Sequence, residues 1–251
     1  MKTVKKERKG RAVNGNSVLQ RMSAFLPHEK KFFVLFEDLA GKAVEAAGLL
    51  VGLGTNYSKV SQTSERLERL EDEADSVVHQ ILQGLFYDHT RVTEEKGDIR
   101  YFAHNLDNVI DGVTKAMSRL TFAHLQSQAG ELGKSGESGK SGELPKLVSE
   151  FSPIILEASQ EIKTAVGCLR DLKCEGATLE RCYIRINELE NEADKTNRKW
   201  LRILMTAPVA DPNEVLERMV LKEIVDILED TMDQCEDVAN ILETFRLKGG
   251  I

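Results

Sequence analysis

Apolar residues recur at intervals of three and four along most of the chain, which is the spacing of one face of an α-helix. In the segment over about residues 63–87 they are Leu67, Leu70, Ala74, Val78, Ile81 and Leu85. Five other segments repeat this spacing, and the alternation typical of strands is absent. The pattern predicts six long helices, over about residues 29–54, 63–87, 94–126, 146–173, 177–206 and 212–246.

A glycine- and serine-rich stretch separates the third predicted helix from the fourth. Residues 130–143 read GELGKSGESGKSGE, a composition typical of a flexible linker. The sequence therefore divides into a tail (1–22), a first three-helix unit (23–128), a linker (129–145) and a second three-helix unit (146–248).

Two acidic signatures occur in the same order in both units. Residues 70–75 read LEDEAD and residues 189–194 read LENEAD, an offset of 119 positions. Residues 106–111 read LDNVID and residues 228–233 read LEDTMD, an offset of 122 positions. Recurrence at nearly constant spacing indicates two copies of one unit. The predicted fold is all-α, with two pseudo-repeated antiparallel three-helix bundles.

Each signature places an acid and an aspartate four residues apart, on one face of a helix. Each pair follows a leucine of the apolar stripe, so we expect the carboxylates at the edge of a helix–helix contact. Carboxylates crowded there need a cation, a proton or a basic partner. Oxygen ligands suit iron, zinc, magnesium, manganese or calcium ions. The predicted metal ligands are Glu71, Asp75, Asp107 and Asp111 in the first unit and Glu190, Asp194, Glu229 and Asp233 in the second.

Other interpretations of the acids remain open. An acid pair can also lie on a solvated helix face beside Lys or Arg, which would make the protein a metal-free helical adaptor. In the last helix, Asp226, Asp230 and Asp237 offer competing registers, and only the repeat selects Glu229 and Asp233.

Histidines extend the acidic face in the first unit. His79 follows Asp75 by four residues and His104 precedes Asp107 by three, although a surface or core role is the alternative for each. The position that matches His79 in the second unit is Arg198. The two units are therefore expected to differ in metal affinity or in the metal bound.

The net charge of -7 is unevenly distributed. The first eleven residues carry a local charge of +5, which leaves -12 for residues 12–251. This acidic balance disfavours nucleic acid as a partner. The basic tail is either a solubilising segment or a peripheral contact with an anionic membrane surface. No apolar segment approaches the ~20 residues that a transmembrane helix needs, and we expect a cytoplasmic protein.

Four cysteines, Cys168, Cys174, Cys182 and Cys235, lie in the second half of the chain. No two of them have the two-residue spacing of zinc ligands or redox motifs. We therefore expect free structural thiols in a reducing compartment, with Cys235 on the apolar stripe of the last helix.

Residues 25–40 (FLPHEKKFFVLFEDLA), the LEDEAD helix and the LDNVID helix resemble the PhoU-like proteins found beside Pit-type phosphate transporters. The resemblance covers about residues 22–246. It implies two similar three-helix bundles with metal ions or small metal clusters held by the signature acids. It also implies a regulatory or accessory role in inorganic phosphate uptake, by contact with a Pit-type transporter or its partners. PhoU-like proteins are often dimeric, so a homodimer is an open alternative.

The main rival function is a di-metal oxidase or a ferritin-like protein. Such bundles place a glutamate three residues before a histidine on two of their helices. None of the five histidines of this chain has a glutamate at that position. The sequence also lacks a Gly-x-Ser-x-Gly nucleophile motif, and we do not expect an enzyme.

Overall fold

The structure is a computed structural model that describes residues 30–89, 91–131, 143–170, 174, 176–208 and 212–248. A short 3-10 helix (Tyr57–Lys59) accompanies six α-helices in this part of the chain, which contains no strand. The helices are α1 (Lys30–Thr55), α2 (Val60–Tyr87), α3 (Thr93–Glu131), α4 (Glu143–Arg170), α5 (Gly176–Thr206) and α6 (Pro212–Lys248). The basic tail and the centre of the predicted linker lie outside the described residues.

The predicted all-α fold is confirmed, and each of the six predicted helices is present. Their ends lie within three residues of the predicted ones, except that α3 continues to Glu131 rather than residue 126. The apolar spacing explains why these segments form helices. In α2, for example, the stripe from Leu67 to Leu85 is buried, and burying one such face is what stabilises a helix in a protein.

The helices form one core that is continuous through both halves. Helix α1 packs against α4, and α3 packs against α6, so these four helices make the centre of the molecule. Helix α2 covers α1 and α3 on one side, and α5 covers α4 and α6 on the other.

Equivalent helices of the two halves pair with each other. Gly54 near the end of α1 faces Ser149 near the start of α4, and Gly41 faces Lys163 further along α4. The two helices are therefore antiparallel. A Cβ atom at Gly54 would lie 3.3 Å from the Ser149 Cα, so a glycine permits the close approach of the two backbones.

Helices α3 and α6 are antiparallel as well. Asn108 Nδ2 donates a hydrogen bond to Gln234 Oε1 over 3.0 Å. Eleven residues further along α3, Arg119 Nε donates to Glu223 Oε1 over 2.6 Å, and Glu223 precedes Gln234 on α6 by eleven residues. Antiparallel pairing of equivalent helices is the arrangement that a two-fold relation between the halves produces.

The structure contradicts the expectation of four free thiols. Cys168, in the last turn of α4, forms a disulfide with Cys174, and their Cα atoms are 5.2 Å apart. Cys182 and Cys235 are free and buried, and Cys235 lies in the core as predicted.

Candidate metal centre

The first set of predicted ligands lies on two neighbouring helices, α2 and α3. We call Glu71, Asp75, Asp107 and Asp111 the first-half cluster. The leucines directly before the two pairs, Leu70 and Leu106, are fully buried. The carboxylates therefore lie at the edge of the core, and the Asp107 side chain is only 9% exposed.

Asp107 is the most perturbed acid of the first-half cluster. Burial, followed by the charges of Asp111, Asp75 and Glu71, raises its pKa to about 7. Its buried Oδ1 has no hydrogen-bond partner among the described residues. The pKa of Glu71 is also raised, first by burial and then by Asp111 and Asp75. The charges of Asp75 and Asp111 are thus close enough to Asp107 and Glu71 to oppose the ionisation of these two groups.

The second set of predicted ligands occupies the equivalent helices, α5 and α6. We call Glu190, Asp194, Glu229 and Asp233 the second-half cluster. Burial is the largest cause of the raised pKa of Glu190, Glu229 and Asp233. The charge of Asp194 contributes to all three of these shifts, which places both helices at one site.

Ligand atoms come closest together in the second half. One oxygen from each of Glu229, Asp230 and Asp233 lies within 4.8 Å of the other two. Among the described residues, no other three His, Cys, Asp or Glu side chains bring their ligand atoms this close together. All three are on α6, and the acids of α5 lie outside the group.

Two residues beside the second-half cluster were not among the predicted ligands. Asp230 is next to Glu229, and its charge raises the pKa of Asp233. Asn197 is 8% exposed and hydrogen-bonds to Glu229. This hydrogen bond offsets part of the rise in the pKa of Glu229. The Asn197 Oδ1 is buried with no hydrogen-bond partner in the described part of the chain. Its position three residues after Asp194, on the same helical face, was the available sequence signal.

Basic side chains contact one acid in each cluster. Lys115 Nζ lies 3.8 Å from Asp111 Oδ2, and the lysine side chain is largely exposed. Arg198 Nη2 forms an ion pair with Asp194 Oδ2. These contacts neutralise only one acid in each cluster, and the remaining carboxylate oxygens are ligands of the type that hard and borderline cations prefer.

The two histidines near the first-half cluster differ in their surroundings. His79 Nδ1 lies 2.9 Å from the backbone oxygen of Asp75. The ring lies close enough to Asp107 for a positive charge on it to offset part of the rise in the pKa of that acid. His104 is exposed on α3.

Comparison with known proteins gives two relatives along most of the chain. The UPF0111 protein YkaA of Bacillus subtilis is 26% identical over 220 residues, which are 87% of this chain and 96% of YkaA. A putative Pit accessory protein of Rhizobium meliloti is 24% identical over 216 residues, 86% of this chain and 92% of that protein. The predicted resemblance to PhoU-like, Pit-associated proteins is confirmed. No family model matches the chain.

A solved structure, PhoU from Pseudomonas aeruginosa, is similar with a TM-score of 0.47 and 16% sequence identity. The likeness covers 93% of this chain and 96% of that one. In the described part of the chain, no helix is long and apolar enough to span a membrane.

Proposed function

We propose that this protein is a non-enzymatic, metal-binding accessory protein of inorganic phosphate uptake, with cation sites at the first-half and second-half clusters. The observation that carries the metal proposal is Asp107. A buried carboxylate with an unpaired oxygen and three acidic neighbours is costly to leave uncompensated. A divalent cation held by these acids would compensate their charge and connect α2 to α3.

The phosphate-transport part of the proposal is supported by the relative named as a putative Pit accessory protein. By this likeness we infer contact with a Pit-type transporter or its partners, on the cytoplasmic side of the membrane. Such contact requires no substrate turnover, and the protein would regulate or assist uptake.

The metal content of untagged protein, purified without a chelator, tests the first part. We expect divalent metal in the wild type and loss of the first-half share in the Asp75→Ala, Asp111→Ala double variant. Glu65→Gln is the matched control, because Glu65 is an exposed acid of α2 outside the cluster. A metal-free wild type with undiminished thermal stability would favour a metal-free adaptor, and metal-dependent oxidation of a substrate by dioxygen would favour a di-metal oxidase.

Uptake of labelled phosphate tests the second part. Cells that lack the gene should differ in their initial uptake rate from cells complemented with the wild type. The Asp75→Ala, Asp111→Ala variant should complement less well than Glu65→Gln at equal protein level. Identical uptake in all four strains would contradict the accessory role even if the protein holds metal.

A further inference from the structure

The two halves place different side chains at one equivalent position beside their clusters. Because LEDEAD and LENEAD are offset by 119 residues, Asp75 corresponds to Asp194 and His79 corresponds to Arg198. Each of the two later residues follows its aspartate by four positions, so it lies one helical turn along the same face. Both His79 and Arg198 are exposed.

The contact of His79 leaves one ring nitrogen available to a metal. Its Nδ1 lies 2.9 Å from the Asp75 backbone oxygen, which can only accept a hydrogen bond. In the neutral ring that donates this bond, Nε2 carries the free lone pair. Metal-binding histidines are commonly held in this way, with one nitrogen donating to a carbonyl or carboxylate.

The contact of Arg198 has the opposite consequence. Its guanidinium is always charged, has no lone pair to offer a metal and forms an ion pair with Asp194. Arg198 therefore competes with a cation at the second-half cluster for the Asp194 carboxylate. The oxygens left nearby belong to Glu229, Asp230 and Asp233, which lie within 4.8 Å of one another.

The geometry points to two unlike cation sites. The first-half cluster binds a borderline transition metal such as zinc through carboxylates and His79 Nε2. The second-half cluster is an all-oxygen site that discriminates less between zinc and magnesium and that Arg198 weakens. Imidazole favours zinc and iron over magnesium and calcium, whereas carboxylates alone suit the hard cations. This inference rests on the proposed metal-binding function.

The test measures zinc and magnesium affinities by calorimetry, one half at a time. With the second half silenced by Asp194→Ala and Asp233→Ala, we expect His79→Gln to weaken zinc binding at least about tenfold, the size typical of a disturbed metal site. Magnesium affinity should change less than about twofold. His89→Gln, at an exposed histidine that follows the end of α2, is the matched control and should change neither.

The reciprocal experiment substitutes Arg198 in the second half. With the first half silenced by Asp75→Ala and Asp111→Ala, Arg198→His should strengthen zinc binding, and Arg198→Gln should strengthen magnesium binding. Circular dichroism checks that each variant keeps its helices. Unchanged zinc affinity in both His79→Gln and Arg198→His would overturn the inference while leaving metal binding intact. A wild type that binds neither ion would overturn the proposed metal function together with it.

Discussion

Gly112 on α3 faces Thr231 on α6 so closely that a Cβ atom at Gly112 would lie 2.4 Å from the Thr231 hydroxyl oxygen. Thr231 is almost completely buried, and its hydroxyl donates to the backbone oxygen of Ile227 over 2.6 Å. The threonine therefore has little freedom to move aside. This contact sets the distance between the two halves at a point next to Asp111 and Asp230.

We expect Gly112→Ala to destabilise the protein by about 1–3 kcal/mol, the usual cost of overpacking a core. Chemical unfolding followed by circular dichroism measures the change. Gly97→Ala is the control, because a Cβ atom there meets nothing within 4 Å and alanine is the better helix former by roughly 0.5–1 kcal/mol. Adding Thr231→Ala to Gly112→Ala should recover part of the loss. Equal stability of the two alanine variants would contradict the close contact.

Asp107 should make the stability of the metal-free protein fall as pH rises. Its carboxyl has a pKa of 3.8 in the unfolded chain and about 7 in the fold, so the folded state holds the proton more tightly. The stabilisation is complete below about pH 4 and is lost as pH rises through 7, on the order of 4 kcal/mol for this group.

Unfolding midpoints between pH 4 and pH 8, with a chelator present, measure this dependence. Asp107→Asn keeps the shape of the side chain without its charge and should flatten the dependence. Glu65→Gln should leave it as in the wild type. The same slope in Asp107→Asn and the wild type would mean that Asp107 is ionised in the fold throughout this range.

Glu150 on α4 holds the single tryptophan of the chain. Trp200 Nε1 donates to Glu150 Oε2 over 2.9 Å, and the indole is almost fully buried. Glu150→Ala should cost about 1–3 kcal/mol, because it leaves a buried donor unpaired. It should also alter the tryptophan emission. Lys199→Ala removes only an exposed ion pair with Glu150 and should cost less than about 1 kcal/mol with unchanged emission.

The disulfide between Cys168 and Cys174 closes a short loop between α4 and α5. In the chain-entropy description, a loop of this length contributes about 2 kcal/mol to stability. We expect dithiothreitol to lower the unfolding midpoint of the wild type and to leave that of the Cys168→Ser, Cys174→Ser variant unchanged. A wild type that is insensitive to the reductant and titrates four thiols after unfolding would contradict the bond.

The helices could be predicted because each buries a single stripe. The spacing of Leu67, Leu70 and Ala74 needs no knowledge of the partner helix, since any partner requires the same stripe. That each acid pair shares one helical face could be predicted for a related reason, because residues four apart share a face in any fold. The choice of Glu229 and Asp233 on α6 as metal ligands rests on the repeat and stays a prediction, and the structure places Asp230 beside them.

Features that depend on contacts between distant segments could not be predicted in this way. The approach of Gly112 to Thr231 depends on how α3 and α6 are rotated about their axes, which neither helix specifies alone. The hydrogen bond from Asn197 to Glu229 depends on the same relation between α5 and α6. The disulfide joins two cysteines whose six-residue spacing resembles no common motif.

The antiparallel pairing of α1 with α4 and of α3 with α6 means that each half presents its partner with the same surface that it receives. In terms of symmetry, the contact is isologous, as in a homodimer of two identical chains. Here both halves belong to one polypeptide, so they are always present in equal amounts. The two halves can also carry different side chains at equivalent positions, such as His79 in the first and Arg198 in the second.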